Sequence, residues 1–301
     1  MSLLVTGSIG IDTVETPTGG VHDALGGSSV YFAYAASFFT PVRLVGVVGD
    51  DCPEGFLKPL EDNPRIDLTG LEVRAGSKTF RWHGRYFDDV NERETVSVQL
   101  NVLDEAGAKI PAAFRDSRYI FLANTHPRRQ LEMLDQLSRP KLVVADTMDI
   151  WIKSEREALE ALFAKIDGLV LNDSEARLLT GKRNLIAAGL EIARSVRHYV
   201  VIKKGEHGGI LFAEGRPYPF LGYPVAEVVD PTGAGDTFAG AMMGCLAAAE
   251  SLDVPALRRA IAYGAVTASI ELEDFSLGRL IASSRGDIEA RMTRFRELAA
   301  F

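Results

Sequence analysis

Toward the C-terminal third of the chain, Asp230-Pro-Thr-Gly-Ala-Gly-Asp236 runs into Thr-Phe-Ala-Gly-Ala-Met-Met-Gly-Cys-Leu-Ala-Ala-Ala249. Gly233, Ala234 and Gly235 carry almost no side chain, so backbone N–H groups at a helix start can approach an anion. Unpaired donors and the positive end of the helix dipole both favour a phosphate there. A carboxylate just inside the same turn would repel that phosphate. Asp236 makes chemical sense in this position as a general base, meeting the proton of an attacking hydroxyl. The chemistry so predicted is phosphoryl transfer to an alcohol. The competing reading of these residues alone is a turn shaped by Gly233 and Gly235, with Asp236 as a helix cap. The stretch is not a Walker A loop, because the Gly-Lys-Ser/Thr ending is missing. Nor is it the dinucleotide GxGxxG, since Phe238 stands where the third Gly belongs.

Such a turn needs a strand before it and a helix after it, and the pattern predicts a strand over 226–229 and a helix from 238 to 249. Other short apolar runs predict buried strands at 3–6, 42–48, 119–122, 142–145, 169–171 and 199–202, with helices between them. One helix is expected over 28–39, and another opening at Asp51 and Pro53. Uninterrupted apolar strands alternating with helices imply a parallel sheet covered on both faces. Residues 79–87 and 95–100 differ. They alternate apolar with polar around a turn at 88–94, which predicts a half-exposed antiparallel hairpin. One of its faces carries Thr79, Arg81, His83 and Arg85, and the other Phe80, Trp82, Gly84 and Tyr86. The expected organisation is an α/β doubly wound core over 1–10, 26–70 and 102–301. A small β element over 11–25 and 71–101 is placed to cover the crevice beyond the carboxyl ends of the strands.

The 301 residues are 47% hydrophobic and 25% charged, as expected of a globular protein with a sizeable core. A net charge of −8 and the lack of a long basic block argue against general nucleic-acid binding. Cys52 and Cys245 form no metal-ligand spacing and read as reduced thiols. The first residues carry no basic leader segment, and no apolar run is long enough to span a bilayer, so the expected location is cytoplasmic.

Asp-Pro-Thr-Gly-Ala-Gly-Asp-Thr-Phe-Ala-Gly resembles the C-terminal signature of the ribokinase-like carbohydrate kinases, the PfkB family. The resemblance continues in order along the chain. Gly7-Ser-Ile-Gly-Ile-Asp12 is similar to the family's first strand and substrate-binding Asp, and Gly26-Gly27 to the di-glycine that lets substrate hydroxyls approach the backbone. Gly46-Val-Val-Gly-Asp-Asp51 with Gly55 resembles the next landmark. Asn172-Asp-Ser-Glu175 resembles the NxxE element, and Lys203-Lys-Gly-Glu-His-Gly208 the nucleotide-loop turn. The resemblance implies a Rossmann-like, mostly parallel sheet with a small β-sheet lid, MgATP as phosphoryl donor, and Asp236 as base beside an anion hole at Gly233–Gly235. It further implies that Asp12, Gly26 and Gly27 meet the substrate. Asn172, Lys203, Gly205, Gly208 and Thr232 would meet the nucleotide, and Glu175 would reach Mg²⁺ through water.

Several positions stay open. Asn172 and Glu175 also have the spacing of a capping box. Lys203 is either a phosphate contact or an exposed strand end, and Asp146 either faces the phosphates or caps a loop. Residues 263–270 are core that could also line an adenine pocket. Tyr31 stands where the family usually has a substrate-contacting Asn, so the substrate is expected to be read differently here. Asp230 matches a residue of a potassium site in some relatives, but Glu273-Asp-Phe-Ser-Leu-Gly278 does not clearly supply the matching loop, which leaves a monovalent cation in doubt. The expected acceptor is the primary hydroxyl of a sugar or sugar-like compound. The alternatives are a nucleoside, with Trp82, Tyr86 or Tyr31 stacking on its base, and a non-catalytic sensor of a sugar or nucleotide. The small β element either closes over the crevice or pairs with a second copy as a homodimer.

Overall fold

The computed structural model describes residues 2–300. In chain order the elements begin with β1 (Leu3–Thr6), β2 (Gly10–Thr16), β3 (Gly19–Gly26), α1 (Ser28–Ser37), β4 (Val42–Gly49), α2 (Lys58–Glu61), β5 (Ile66–Arg74), β6 (Phe80–Tyr86) and β7 (Arg93–Gln99). They continue with β8 (Tyr119–Leu122), α3 (Pro127–Leu134), β9 (Leu142–Asp146), α4 (Asp149–Ser154), α5 (Arg156–Phe163), β10 (Gly168–Asn172), α6 (Asp173–Thr180) and α7 (Leu185–Ile192). The last are β11 (Tyr199–Lys203), β12 (Gly209–Ala213), β13 (Arg216–Phe220), α8 (Ala234–Ala249), α9 (Val254–Glu271), α10 (Gly278–Ile281) and α11 (Arg285–Leu298).

A nine-stranded sheet has the order β13-β12-β11-β10-β9-β8-β1-β4-β5, parallel from β11 to β5 with an antiparallel hairpin at one edge. Its central strands β1 and β8 to β11 are almost wholly apolar and buried because both faces are covered. Leu3, Val5, Tyr119, Phe121, Leu142 and Val144 pack toward α1, α8 and α9. Leu4, Ile120, Leu122, Val143 and Ala145 pack toward the opposite helical layer. The chain winds one way from β1 through β4 and the other way through β8, so the switch point that opens a ligand crevice lies between β1 and β8.

A second sheet has the order β3-β2-β6-β7, with β2 and β6 parallel and both outer pairs antiparallel. Its outward face is polar: His83 and Arg85 both bond Glu15, and Arg81 bonds Asp23. Phe80, Trp82, Gly84 and Tyr86 take the inward face, the division expected from their alternation.

Two expected elements are absent. Residues 226–229 form no strand, and Val229 N–H donates to Leu272 O at 2.8 Å instead. The Val229 carbonyl accepts the Thr18 hydroxyl at 3.3 Å, so this segment is held by a helix end and a loop and joins no sheet. No helix opens at Asp51 either. Its carboxylate accepts the Thr79 N–H at 2.6 Å, Gly55 adopts φ 74°, and helical residues start only at Lys58.

Candidate functional site at the start of α8

The turn before α8 is held by Asp230, whose two oxygens accept the Thr232 N–H at 2.8 Å and the Ser276 N–H at 3.3 Å. Gly233 precedes the helix at φ 84°, and no side chain caps it. A Cβ on Gly233 would lie 2.4 Å from the Tyr31 ring, so backbone conformation and packing both require glycine here. A Cβ on Gly235 would lie 2.7 Å from Lys203 Nζ, which places that ammonium directly beside the first turn of α8. Lys203 Nζ is also 3.8 Å from Asp146 Oδ2, with both side chains largely buried. Uncapped N–H groups and a lysine therefore converge on one side, with Asp236 just inside the same turn. Chemically, such an arrangement can receive an anion and offers a carboxylate able to take a proton.

Burial is the main cause that lifts Asp236 to about 8. Asp146 pushes the same way, and Lys203 and Arg93 oppose it. The residue keeps an opening to solvent, so a ligand can reach it. Glu175 is likewise lifted to about 7, by burial and then Asp146, against Lys203, the Asn172 backbone N–H and Arg93. Asp146 is raised by burial, with Lys203 and the Thr147 N–H pulling it down. Asn172 and Glu175 close a full capping box: Asn172 Oδ1 accepts the Glu175 N–H, and Glu175 Oε2 accepts the Asn172 N–H, each at 2.8 Å. The capping geometry left open by the sequence is thus present, and it holds the Glu175 carboxylate within the field of Asp146 and Lys203.

At the other end of the crevice, Asp12 lies on β2 in register with Trp82 on β6. It is buried and lifted to about 7, by desolvation first and by Asp230 second, with the Gly27 N–H pulling down. Asp12 Oδ1 has no hydrogen-bond partner in the chain. A Cβ on Gly26 would fall 1.9 Å from Asp12 Oδ2, so only glycine leaves the carboxylate its place. Gly27 at φ 104° leads into α1, whose first N–H groups are taken by Ser8: Ser28 N–H by its hydroxyl at 2.9 Å and Ser29 N–H by its carbonyl at 3.1 Å. Ser28 Oγ in turn donates to Asn124 O at 3.3 Å, bringing the end of β8 against the di-glycine.

Tyr31, expected beside the substrate, lies close enough to Asp230 and Asp12 that, after burial, both raise the pKa of its hydroxyl. Its ring is 2% exposed and packs beneath Gly233, so it supports the anion turn from below. Tyr86 is also withdrawn, since its hydroxyl meets Thr232 Oγ1 at 3.2 Å. Residues 263–270 are core rather than an open pocket. The Tyr263 hydroxyl donates to Glu289, and Arg285 lies over its ring at 5.0 Å. Gly205 and Gly208 bracket a short 3₁₀ turn at positive φ. That turn touches the β6–β7 hairpin, where Asn91 Nδ2 donates to Glu206 Oε2 at 3.2 Å.

Sequence reading missed Arg93, because it fell inside the expected turn at 88–94. The strand begins two residues earlier, and a register shift between His83 and Gly84 breaks the alternation that would have revealed it. Glu271 was missed as well. It is fully buried on α9 with neither oxygen bonded, and burial, Asp230 and Asp236 all raise its pKa. Its spacing of four from Thr267, another buried and unbonded group, was the available signal. Among the described residues, no three His, Cys, Asp or Glu side chains converge as a metal-binding group.

An uncapped helix start at the carboxyl edge of a doubly wound sheet, with a carboxylate and a lysine beside it, defines a phosphotransferase acting on small molecules. The family model for pfkB family carbohydrate kinases matches residues 12–277, and the chain belongs to that family. It is 28% identical over 249 residues to a cytidine kinase of Thermococcus kodakarensis, covering 81% of this chain and 87% of that one. It is 35% identical over 252 residues to a 2-dehydro-3-deoxygalactonokinase of Haloferax volcanii, covering 73% and 76%. Among solved structures, a Burkholderia thailandensis nucleoside kinase in complex with inosine has a TM-score of 0.81 at 18% identity, over 97% of both chains. An Escherichia coli protein in complex with ATP and Mg²⁺ has a TM-score of 0.78 at 17% identity, over 97% and 99%. The fold is that of the ribokinases. No helix among the described residues is long and apolar enough to cross a membrane.

Proposed function

We propose that this kinase transfers the γ-phosphoryl group of ATP to a hydroxyl, a primary CH₂OH, of a nucleoside or free sugar, with Asp236 as the general base. The observation that carries the reading is the uncapped start of α8, with Gly235 against Lys203 and Asp236 in the same turn. Asp12 fixes the acceptor through hydroxyls that donate to its oxygens, and its unpartnered Oδ1 is an acceptor kept ready for a donor the chain does not supply. Asp236 takes the proton as the acceptor oxygen attacks phosphorus and ADP leaves. The open N–H groups of α8 and Lys203 stabilise the charge on the phosphoryl oxygens. Gly205, Gly208 and Thr232 border the nucleotide, and Asn172 lies near its phosphates. Glu175 orients water on Mg²⁺, the ion that neutralises the phosphate charge when bound. A monovalent cation at Asp230 would share its two oxygens with the Thr232 and Ser276 N–H groups.

A nucleoside is favoured over a plain sugar by Trp82. Its ring lies on the inward face in register with Asp12, packed over Gly84 with its indole N–H on Thr95 Oγ1 at 3.3 Å. An intact base at the phosphate turn disfavours a mere sensor. The inward contacts of Tyr86 and Asn91 favour closure of the small sheet over the crevice, in place of pairing with a second copy. Two free cysteines suit the cytoplasm. A coupled assay of ATP consumption across nucleosides and sugars, with the phosphorylated product isolated, tests the whole reading. ATP turnover with no phosphorylated acceptor from either class would refute it.

A further inference from the structure

Four carboxylates, Asp12, Asp146, Glu175 and Asp236, surround the crevice, and a transferring phosphoryl group adds more negative charge. Lys203 answers that charge from the large sheet. From the small sheet, one residue is placed to answer it. In the β6–β7 register Arg93 stands directly across from Tyr86, and through β2–β6 that inward face is shared with Trp82 and Asp12. The hairpin is pinned at two points around Arg93. Tyr86 Oη holds Thr232 Oγ1 of the anion turn at 3.2 Å, and Asn91 Nδ2 holds Glu206 Oε2 of the Gly205 turn at 3.2 Å. The guanidinium carbon lies 5.8 Å from the centre of the Trp82 ring, and the side chain remains exposed.

We propose that Arg93 is a further catalytic residue. The docked hairpin delivers its guanidinium to the γ-phosphoryl oxygens on the side opposite Lys203, completing the phosphate site only when both pins are made. The inference deepens the kinase reading and rests on it. A planar guanidinium with five fixed donors suits several equatorial oxygens better than a single ammonium does. The charge of Arg93 opposes the burial-driven rise of Asp236, Glu175 and the Tyr86 phenol alike. The pins give it a means of control. Glu206 belongs to the nucleotide-loop turn and Thr232 to the anion turn, so the arginine is held by the two segments that would embrace a bound nucleotide.

The test uses the full chain and the acceptor that the wild type phosphorylates best. Arg93→Ala should lower kcat by about 10²–10³ with little change in acceptor KM, the scale of losing one preorganised donor at a transition state. Arg93→Lys should fall between the two, and added guanidinium ion should restore part of the Ala variant's rate, which a structural role would not allow. Removing the pins in Tyr86→Phe/Asn91→Ala should lower kcat in the wild type but add little in the Arg93→Ala background, because both changes act through one group. Arg93→Ala with kcat within about twofold of wild type, or with the loss confined to acceptor KM, overturns the assignment. Full additivity of the pin changes overturns delivery by the hairpin. A dead Asp236→Asn beside a fully active Arg93→Ala would leave the kinase reading standing and remove this inference alone.

Discussion

Two helices begin at the edge of one crevice, and their first turns are finished in opposite ways. Helix α6 starts with a sealed box, in which Asn172 and Glu175 satisfy each other's backbone donors. Helix α8 starts at Gly233 in the left-handed region, with no side chain over its donors. A sealed start contributes stability, since a good cap is worth about 0.5–2 kcal/mol. An open start forgoes that and keeps its donors for an anion. The acids differ as well: Glu175 is tied to its own helix, while Asp236 bonds nothing recorded in the fold and pays for its position in a raised pKa. Stability and chemistry are thus divided between two turns of similar outline.

The largest test of that division is Asp236→Asn. General-base loss should lower kcat by about 10²–10⁴, while melting at pH 9 should occur at a higher temperature, because a buried charge has been removed. A variant with both activity and melting unchanged would erase the contrast. Gly233→Ala should come next. Positive φ and the Tyr31 ring together should cost about 1–3 kcal/mol, read as a lower melting temperature along with weaker ATP binding. Gly235→Ala meets only the mobile tip of Lys203, so it should weaken ATP binding while melting stays near wild type.

The sealed turn gives a finer test. Asn172→Ala should cost about 1 kcal/mol of stability through the lost cap. Glu175→Gln keeps a side chain that can close the box but removes its charge. By removing a buried charge it should raise melting at pH 9, as Asp236→Asn does, and it should raise the Mg²⁺ concentration needed for half-maximal rate. An unaltered Mg²⁺ profile would make Glu175 a cap only.

The remaining test is of pH. Asp12, Glu175 and Asp236 stay protonated in the folded chain up to about 7, 7 and 8, whereas unfolded carboxylates release protons near pH ~4. Between those limits the folded state binds more protons, so stability should fall as pH rises from about 5 to 9. Activity should run the other way, since the base must be ionised: kcat/KM should rise with pH toward a plateau above the Asp236 value. Ligand-free melting that climbs across that range would contradict the burial assigned to these acids.

By itself, the sequence determined the parallel sheet, the Gly-rich turn that opens α8 and the order of the family's landmarks. Those features are written in local chemistry: apolar runs covered on both faces, small residues at a helix start, a box at Asn172–Glu175. The strand at 226–229 was misread because its backbone partners are Leu272 and Thr18, and no local pattern reports so distant a partner. Tyr31 follows the di-glycine in sequence, and only tertiary packing turned its ring under Gly233. The docking of the β6–β7 hairpin likewise depends on contacts with two remote turns, Tyr86 to Thr232 and Asn91 to Glu206. Such placements are sums of contacts between segments far apart in the chain. Periodicity records which face of an element is buried, but not what it is buried against.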